Sequence, residues 1–131
     1  MNKKGFTLIE LVIVIVILGI IAAIAVPTYV NLKTQAELNG MKASLGSIRS
    51  AVSLQHSNNL INSGTDAYPS NISGTLFSDG DIPIDPINSI STVVTSNVTP
   101  LKGNATGTVG GWIYNPTTGE ARCNHTSYDE Y

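Results

Sequence analysis

Glu10 is the residue whose type and position could do chemistry where none is expected. It is the one charge in residues 6–26, an apolar run whose only other polar side chain is Thr7. As a helix the run spans roughly 30 Å, about the hydrocarbon thickness of a bilayer. A carboxylate in such a segment costs about 2.5–3.5 kcal/mol at the membrane centre and less near the interface. A charge kept at that cost has a function and a partner.

The remaining candidates are sparse. Asp79-Gly80-Asp81, followed by Asp85, carries the clustered carboxylates that hard cations take, so calcium is the one metal considered. The spacing is not that of an EF-hand loop, and Asp-Gly is first a turn signal. His56 and His125 have no metal-ligand spacing, and His56 is expected to face solvent or cap a helix end. Cys123 is the single cysteine, so no intramolecular disulfide forms; a buried, unreactive thiol is expected. Four Asn-x-Ser/Thr triplets, at Asn71, Asn97, Asn104 and Asn124, read as chance matches in a chain rich in these residues. No nucleophile, base and orienter converge, so an enzyme is not expected, and no cofactor is implied. A net charge of −2 with 7 basic residues leaves no footprint for nucleic acid. Charged residues make up 12 % of the 131, about half the usual ~25 %, which suits an exported protein with a polar, weakly charged surface.

Five segments position these residues. Residues 1–5 form a short basic head in which Lys3 and Lys4 keep the N-terminus cytoplasmic. Residues 6–26 are the membrane-length run. A secretory signal peptide cut near Ala23-Ile24-Ala25 is one alternative, and a plain membrane anchor is another. Glu10 inside the apolar region argues against the former, as does a helical pattern that continues past Ala25. Gly19 and Pro27 are the weak points: Pro27 has no N–H for the carbonyl of Ala23, so a kink or local break is expected there. Over residues 27–57, Leu38, Met41, Leu45, Ile48 and Val52 recur at spacings of three and four, one stripe of an amphipathic helix. Residues 58–88 read as a loop with a short helix or strand inside it, pinned by scattered apolar residues from Leu60 to Ile84. Residues 89–131 read as an antiparallel sheet. A strand is expected over 91–98 and a hairpin over 112–123, turning at Asn115-Pro116-Thr117-Thr118-Gly119. Ala121 and Cys123 should face inward there, with Glu120 and Arg122 outward. The class is α+β, with a long N-terminal helix packed on a small sheet.

Lys4-Gly5-Phe6-Thr7-Leu8-Ile9-Glu10-Leu11, with the apolar run and Pro27 behind it, resembles the N-terminus of type IV pilins and of the pseudopilins of type II secretion systems. The Ile82-Pro83-Ile84-Asp85-Pro86 piece is similar to major pseudopilins, some of which hold calcium in this general region. The resemblance implies a pilin-like fold and cleavage by a prepilin peptidase between Gly5 and Phe6. It further implies N-methylation of Phe6 and assembly of copies into a helical filament through the apolar helices. It places Glu10 against the terminal amine of a neighbouring subunit; pairing with Phe6 of the same helix, at i and i+4, is the alternative. It implies that the backbone from Gly19 to Pro27 can unwind on packing. Partners implied are the membrane before assembly, an inner-membrane assembly platform and minor pilins. The place is the inner membrane first, then an extracellular pilus, serving adhesion or motility, or a periplasmic pseudopilus. The lone Cys123 departs from pilins whose C-terminal region is closed by a disulfide.

Overall fold

The computed structural model describes residues 5–102, 105, 110–128, 130 and 131. One helix, α1, runs over Leu8–Ser63; a 3₁₀ turn follows at Gly74–Leu76, then three strands, β1 Val93–Thr95, β2 Trp112–Tyr114 and β3 Ala121–Cys123. By internal contacts the chain divides into two units, Met1–Ala36 and Glu37–Tyr131.

In the first unit every described side chain is exposed. Gly19 and Pro27, where a kink or local break is expected, both lie inside α1, which is continuous through them in the isolated chain. The missing N–H of Pro27 removes one bond of the ladder, which the neighbouring turns withstand. The hydroxyls of Thr28 and Thr34 donate to the carbonyls of Ile24 and Val30, both at 3.1 Å, so these polar groups are satisfied on the helix itself.

The second unit has a core. Met41, Leu45, Ile48 and Val52 form the buried stripe of α1 and meet Trp112 and Tyr114 of β2, Ala121 and Cys123 of β3, and Ile72. Leu38 packs against this cluster without being fully buried. The order is β1-β2-β3, with β2 and β3 antiparallel and β1 parallel to β2. The sheet is therefore mixed where an all-antiparallel one was expected. The connection from Ser96 to Gly111 is long enough to return the chain to the starting end, so it need not turn back as a hairpin. The first strand is also shorter than residues 91–98.

The hairpin forms as its turn residues dictate. Asn115 Oδ1 accepts from the amides of Thr117 and Thr118 at 2.8 and 3.3 Å. Gly119 takes φ +73, and a Cβ there would meet Tyr68 Cε1 at 2.3 Å. Ala121 and Cys123 are buried and Arg122 is half-buried, as alternation requires. Ile113, on the opposite face of β2 from Trp112 and Tyr114, is buried as well, so this strand shows no alternation.

Helix α1 ends six residues later than residue 57, which leaves Leu60 and Ile61 exposed rather than pinned to the core. Ile84 is exposed too, whereas Tyr68, Leu76, Phe77 and Ile82 pack on the cluster. The loop between helix and sheet is held by β2. Trp112 Nε1 donates to the carbonyl of Pro83 at 2.7 Å and the Tyr114 hydroxyl to that of Pro69 at 2.8 Å. Both donors sit on one face of one strand, two residues apart, and each fastens the loop at a proline carbonyl.

Candidate processing and assembly site

Thr7 and Glu10 build the N-terminus of α1 between them. The Thr7 amide and hydroxyl both donate to Glu10 Oε2 at 2.8 Å, and the Glu10 amide donates back to the Thr7 hydroxyl at 3.3 Å. This is a capping box: the Thr-x-x-Glu spacing places the hydroxyl at the N-cap and the carboxylate at the third helical position. It satisfies two amides that a helix start leaves without partners. Beside the terminal amine expected to pair with Glu10, the structure gives one of its oxygens a local partner in Thr7. The signal was the spacing itself, four residues that also begin the apolar run. The other oxygen, Oε1, has no partner among the described residues.

Gly5 and Phe6 lie outside the helix and are exposed. A side-chain-free, exposed Gly5 leaves the peptide bond before Phe6 open to approach. Behind them α1 is long and apolar enough to cross a membrane. Its large apolar side chains, from Leu8 through Leu32, stay uncovered, Leu8 at 81 % exposure and Ile24 at 70 %. Gly19 has no heavy atom near where a Cβ would stand. A shallow apolar groove is lined by Ile21, Ile24, Ala25, Thr28, Tyr29 and Leu32.

The three aspartates are not brought together as a calcium site. Asp79 and Asp81 are exposed, while Asp85 is fully buried. Its oxygens accept from the amides of Ile87 at 3.0 Å and Gly111 at 3.3 Å, so it staples the loop to the entry of β2. Among the described residues no three His, Cys, Asp or Glu side chains gather as a metal group would require. His56 is neither solvent-facing nor a helix cap. Its ring stacks on Tyr68 with centroids 4.2 Å apart, and its Nε2 lies 3.4 Å from Asp66. Cys123 is buried, as expected, and burial together with nearby Asp85 pushes its thiol up to about 12. Of the glycosylation triplets, Asn124 is buried, Asn71 and Asn97 are exposed, and the one at Asn104 lies outside the described residues.

On the other flank of the core, Arg49 Nε donates to the Ala121 carbonyl at 3.0 Å. Its pKa is lowered by burial and by the adjacent Arg122. Arg122 Nε donates to Glu120 Oε1 at 2.5 Å. Burial raises the Glu120 carboxyl, but the Arg122 contact and the Leu101 amide outweigh it and hold the group below its ordinary value.

Known proteins share the N-terminal features. Residues 1–26 match the family model described as the prokaryotic N-terminal methylation motif. The chain is 54 % identical over 54 residues to the type IV narrow pilus major component PilA5 of Thermus thermophilus, a match covering 41 % of this chain and 47 % of that protein. It is 46 % identical over 50 residues to the type IV major fimbrial protein FimA of Dichelobacter nodosus, covering 38 % of this chain and 32 % of the relative. It is 38 % identical over 73 residues to the type II secretion system core protein G of Pseudomonas aeruginosa, covering 56 % of this chain and 47 % of the relative. The chain thus spans about half or less of the length of these relatives. No solved structure shows significant similarity to it. The motif and the relatives together support the type IV pilin and pseudopilin family, and the long N-terminal helix with a small sheet is consistent with the pilin fold.

Proposed function

We propose that this chain is a structural subunit which, after prepilin peptidase cuts between Gly5 and Phe6 and the new terminus is methylated, stacks through its apolar helix into a pilus-like filament. The observation that carries the reading is the uncovered apolar surface of residues 6–32 behind a capped, charged helix start. Burying such surface against copies of itself, at about 25 cal/mol per Å², supplies the assembly energy. Glu10 supplies register. With Oε2 held by Thr7, Oε1 remains to accept a charge-assisted bond from the amine at Phe6 of a neighbouring subunit. The backbone from Gly19 to Pro27, helical in the isolated chain, opens on packing. Before assembly the subunit spans the inner membrane and is handled by the assembly platform; minor pilins share the filament. The role is structural and involves no catalysis.

A pseudopilin of a type II secretion system is the second reading. It is favoured by the match to core protein G, which reaches further along this chain than the matches to the two pilus proteins, and by Cys123 having no second cysteine to pair with.

Glu10→Gln tests the assembly role. Glutamine keeps the capping box, because its carbonyl oxygen accepts as the carboxylate does, but it removes the charge. Insertion and processing are expected to persist while sheared filaments fall sharply. Normal filaments from cells making only this variant would contradict the charge pairing and leave Glu10 as a helix cap.

A further inference from the structure

The sheet has two outer edges, and the chain closes one of them. The Asn115 amide donates to the Glu120 carbonyl at 2.8 Å and the Asn124 amide to the Gly111 carbonyl at 2.9 Å. Backbone direction alternates along a strand, so Ala121 and Cys123 of β3 turn their groups away from β2. Both are met within the chain: the Ala121 carbonyl accepts from Arg49 Nε at 3.0 Å, and the Cys123 amide donates to the Tyr131 carbonyl at 3.2 Å. At the other edge the Trp112 amide donates to the Thr92 carbonyl and the Ser96 amide to the Tyr114 carbonyl, both at 2.9 Å. Val93 and Thr95 are therefore the outward residues of β1, and their backbone groups have no partner among the described residues. No charged side chain, a common guard of a free edge, occurs over residues 86–101. The cover on β3 is a strap built from residues 125–128, 130 and 131. The Tyr128 amide donates to the His125 carbonyl at 2.9 Å and the Tyr131 amide to the Tyr128 carbonyl at 3.2 Å, which turns the chain back beside β3. The Tyr128 and Tyr131 rings pack on the core cluster, and the Glu130 carbonyl accepts from Arg122 Nη1 at 3.1 Å. The Lys42 ammonium sits 4.2 Å from the Tyr131 ring centroid. Apart from the Cys123 amide, these holds are made by side chains, so the strap can lift while β3 stays paired with β2.

We infer that the strap is a guard: closed, it stops the β3 edge of one copy from adding the bare β1 edge of another. A row of unpaired backbone groups templates pairing with a second chain, and a covering loop removes the template. β1 laid on β3 is a contact between different patches, which repeats without closing, whereas β1 on β1 is like on like and ends at two. With β3 covered, only the pairing that ends at two is left to the sheet. The guard acts against open-ended sheet growth, and it stands whether or not the apolar helix builds a filament.

Maleimide labelling of Cys123 and sedimentation of the full chain test this together, in detergent that covers the apolar helix. Tyr128→Ala with Tyr131→Ala is expected to label the buried thiol about tenfold faster, as easier local opening implies, and to grow beyond a dimer. Adding Thr95→Lys, a charge on the exposed bare edge, should return that chain to wild-type size while labelling stays fast. Because both tyrosines pack on the core, Lys42→Ala is run beside them. Lys42 is exposed and reaches the strap through the Tyr131 ring, so its loss should speed labelling about threefold and start a slower growth that Thr95→Lys again removes. Thermal melts identify the folded chains, and the result is read from those. Labelling that stays at the wild-type rate, fast labelling without growth, or growth that Thr95→Lys leaves unrelieved would overturn the guard.

Discussion

Residues 5–36 and residues 37–131 solve opposite problems with similar apolar side chains. In the first stretch Ile17 is 51 % exposed; in the second Ile48 is 0 % exposed and belongs to a core cluster drawn from both helix and sheet. The second unit is a folded object in its own right. The first is a helix whose large apolar side chains are all left bare among the described residues. The same substitution should therefore do different things in the two places.

The largest effect on stability is expected at Trp112. It is fully buried and its Nε1 fastens Pro83, so Trp112→Ala should cost about 3–5 kcal/mol in denaturant melts. Full retention of stability would mean that the loop is held elsewhere. The two glycines make the sharpest contrast. Gly119→Ala must fit a side chain at φ +73 and against the Tyr68 ring, and should cost about 1–3 kcal/mol. Gly19→Ala meets open space in the isolated chain and should strengthen the helix by about 1 kcal/mol. A drop in filament yield for Gly19→Ala would then report the local opening on packing, since folding itself gains.

The pH profile belongs to the second unit. A thiol pushed up to about 12 stays protonated when folded, whereas an unfolded thiol ionises near 8.5. Stability is full below about pH 8.5 and declines as pH rises from there. Burial and nearby Tyr68 likewise push Tyr114 up to about 12, adding a further decline above about pH 10, where an unfolded tyrosine ionises. Glu120 acts at the other end: its lowered carboxyl contributes stability above the unfolded value near 4.3, lost as pH falls below it. Melting temperature against pH should show both arms, and Cys123→Ala should remove the portion that begins near pH 8.5. The smallest effects belong to the first unit. Thr7→Ala should loosen the first helical turn by about 1 kcal/mol, visible as faster amide exchange near residue 10. Ile17→Ala should change the melt by less than about 0.5 kcal/mol while reducing filaments.

Much of this was legible in the residues. The stripe through Met41, Leu45, Ile48 and Val52 reads directly from spacing, and Asn115 to Gly119 names its own turn, because both patterns are local. What stayed hidden depends on contacts distant in sequence. The parallel β1 is decided by where a long connection lands. Asp85 reads as one of three similar aspartates until Gly111 is seen to donate to it. His56 reads as a surface residue until Tyr68 folds back over it. Thr7 is legible too, since the Thr-x-x-Glu spacing alone sets a partner for Glu10 three residues away.

The central claim is that residues 6–26 begin as a membrane segment and become a filament core once the leader is removed. Mass spectrometry of the N-terminal peptide, taken from the chain as cells make it, tests this most directly. The account predicts a chain that starts at methylated Phe6. A chain that starts at Met1, or near Val26, would contradict it.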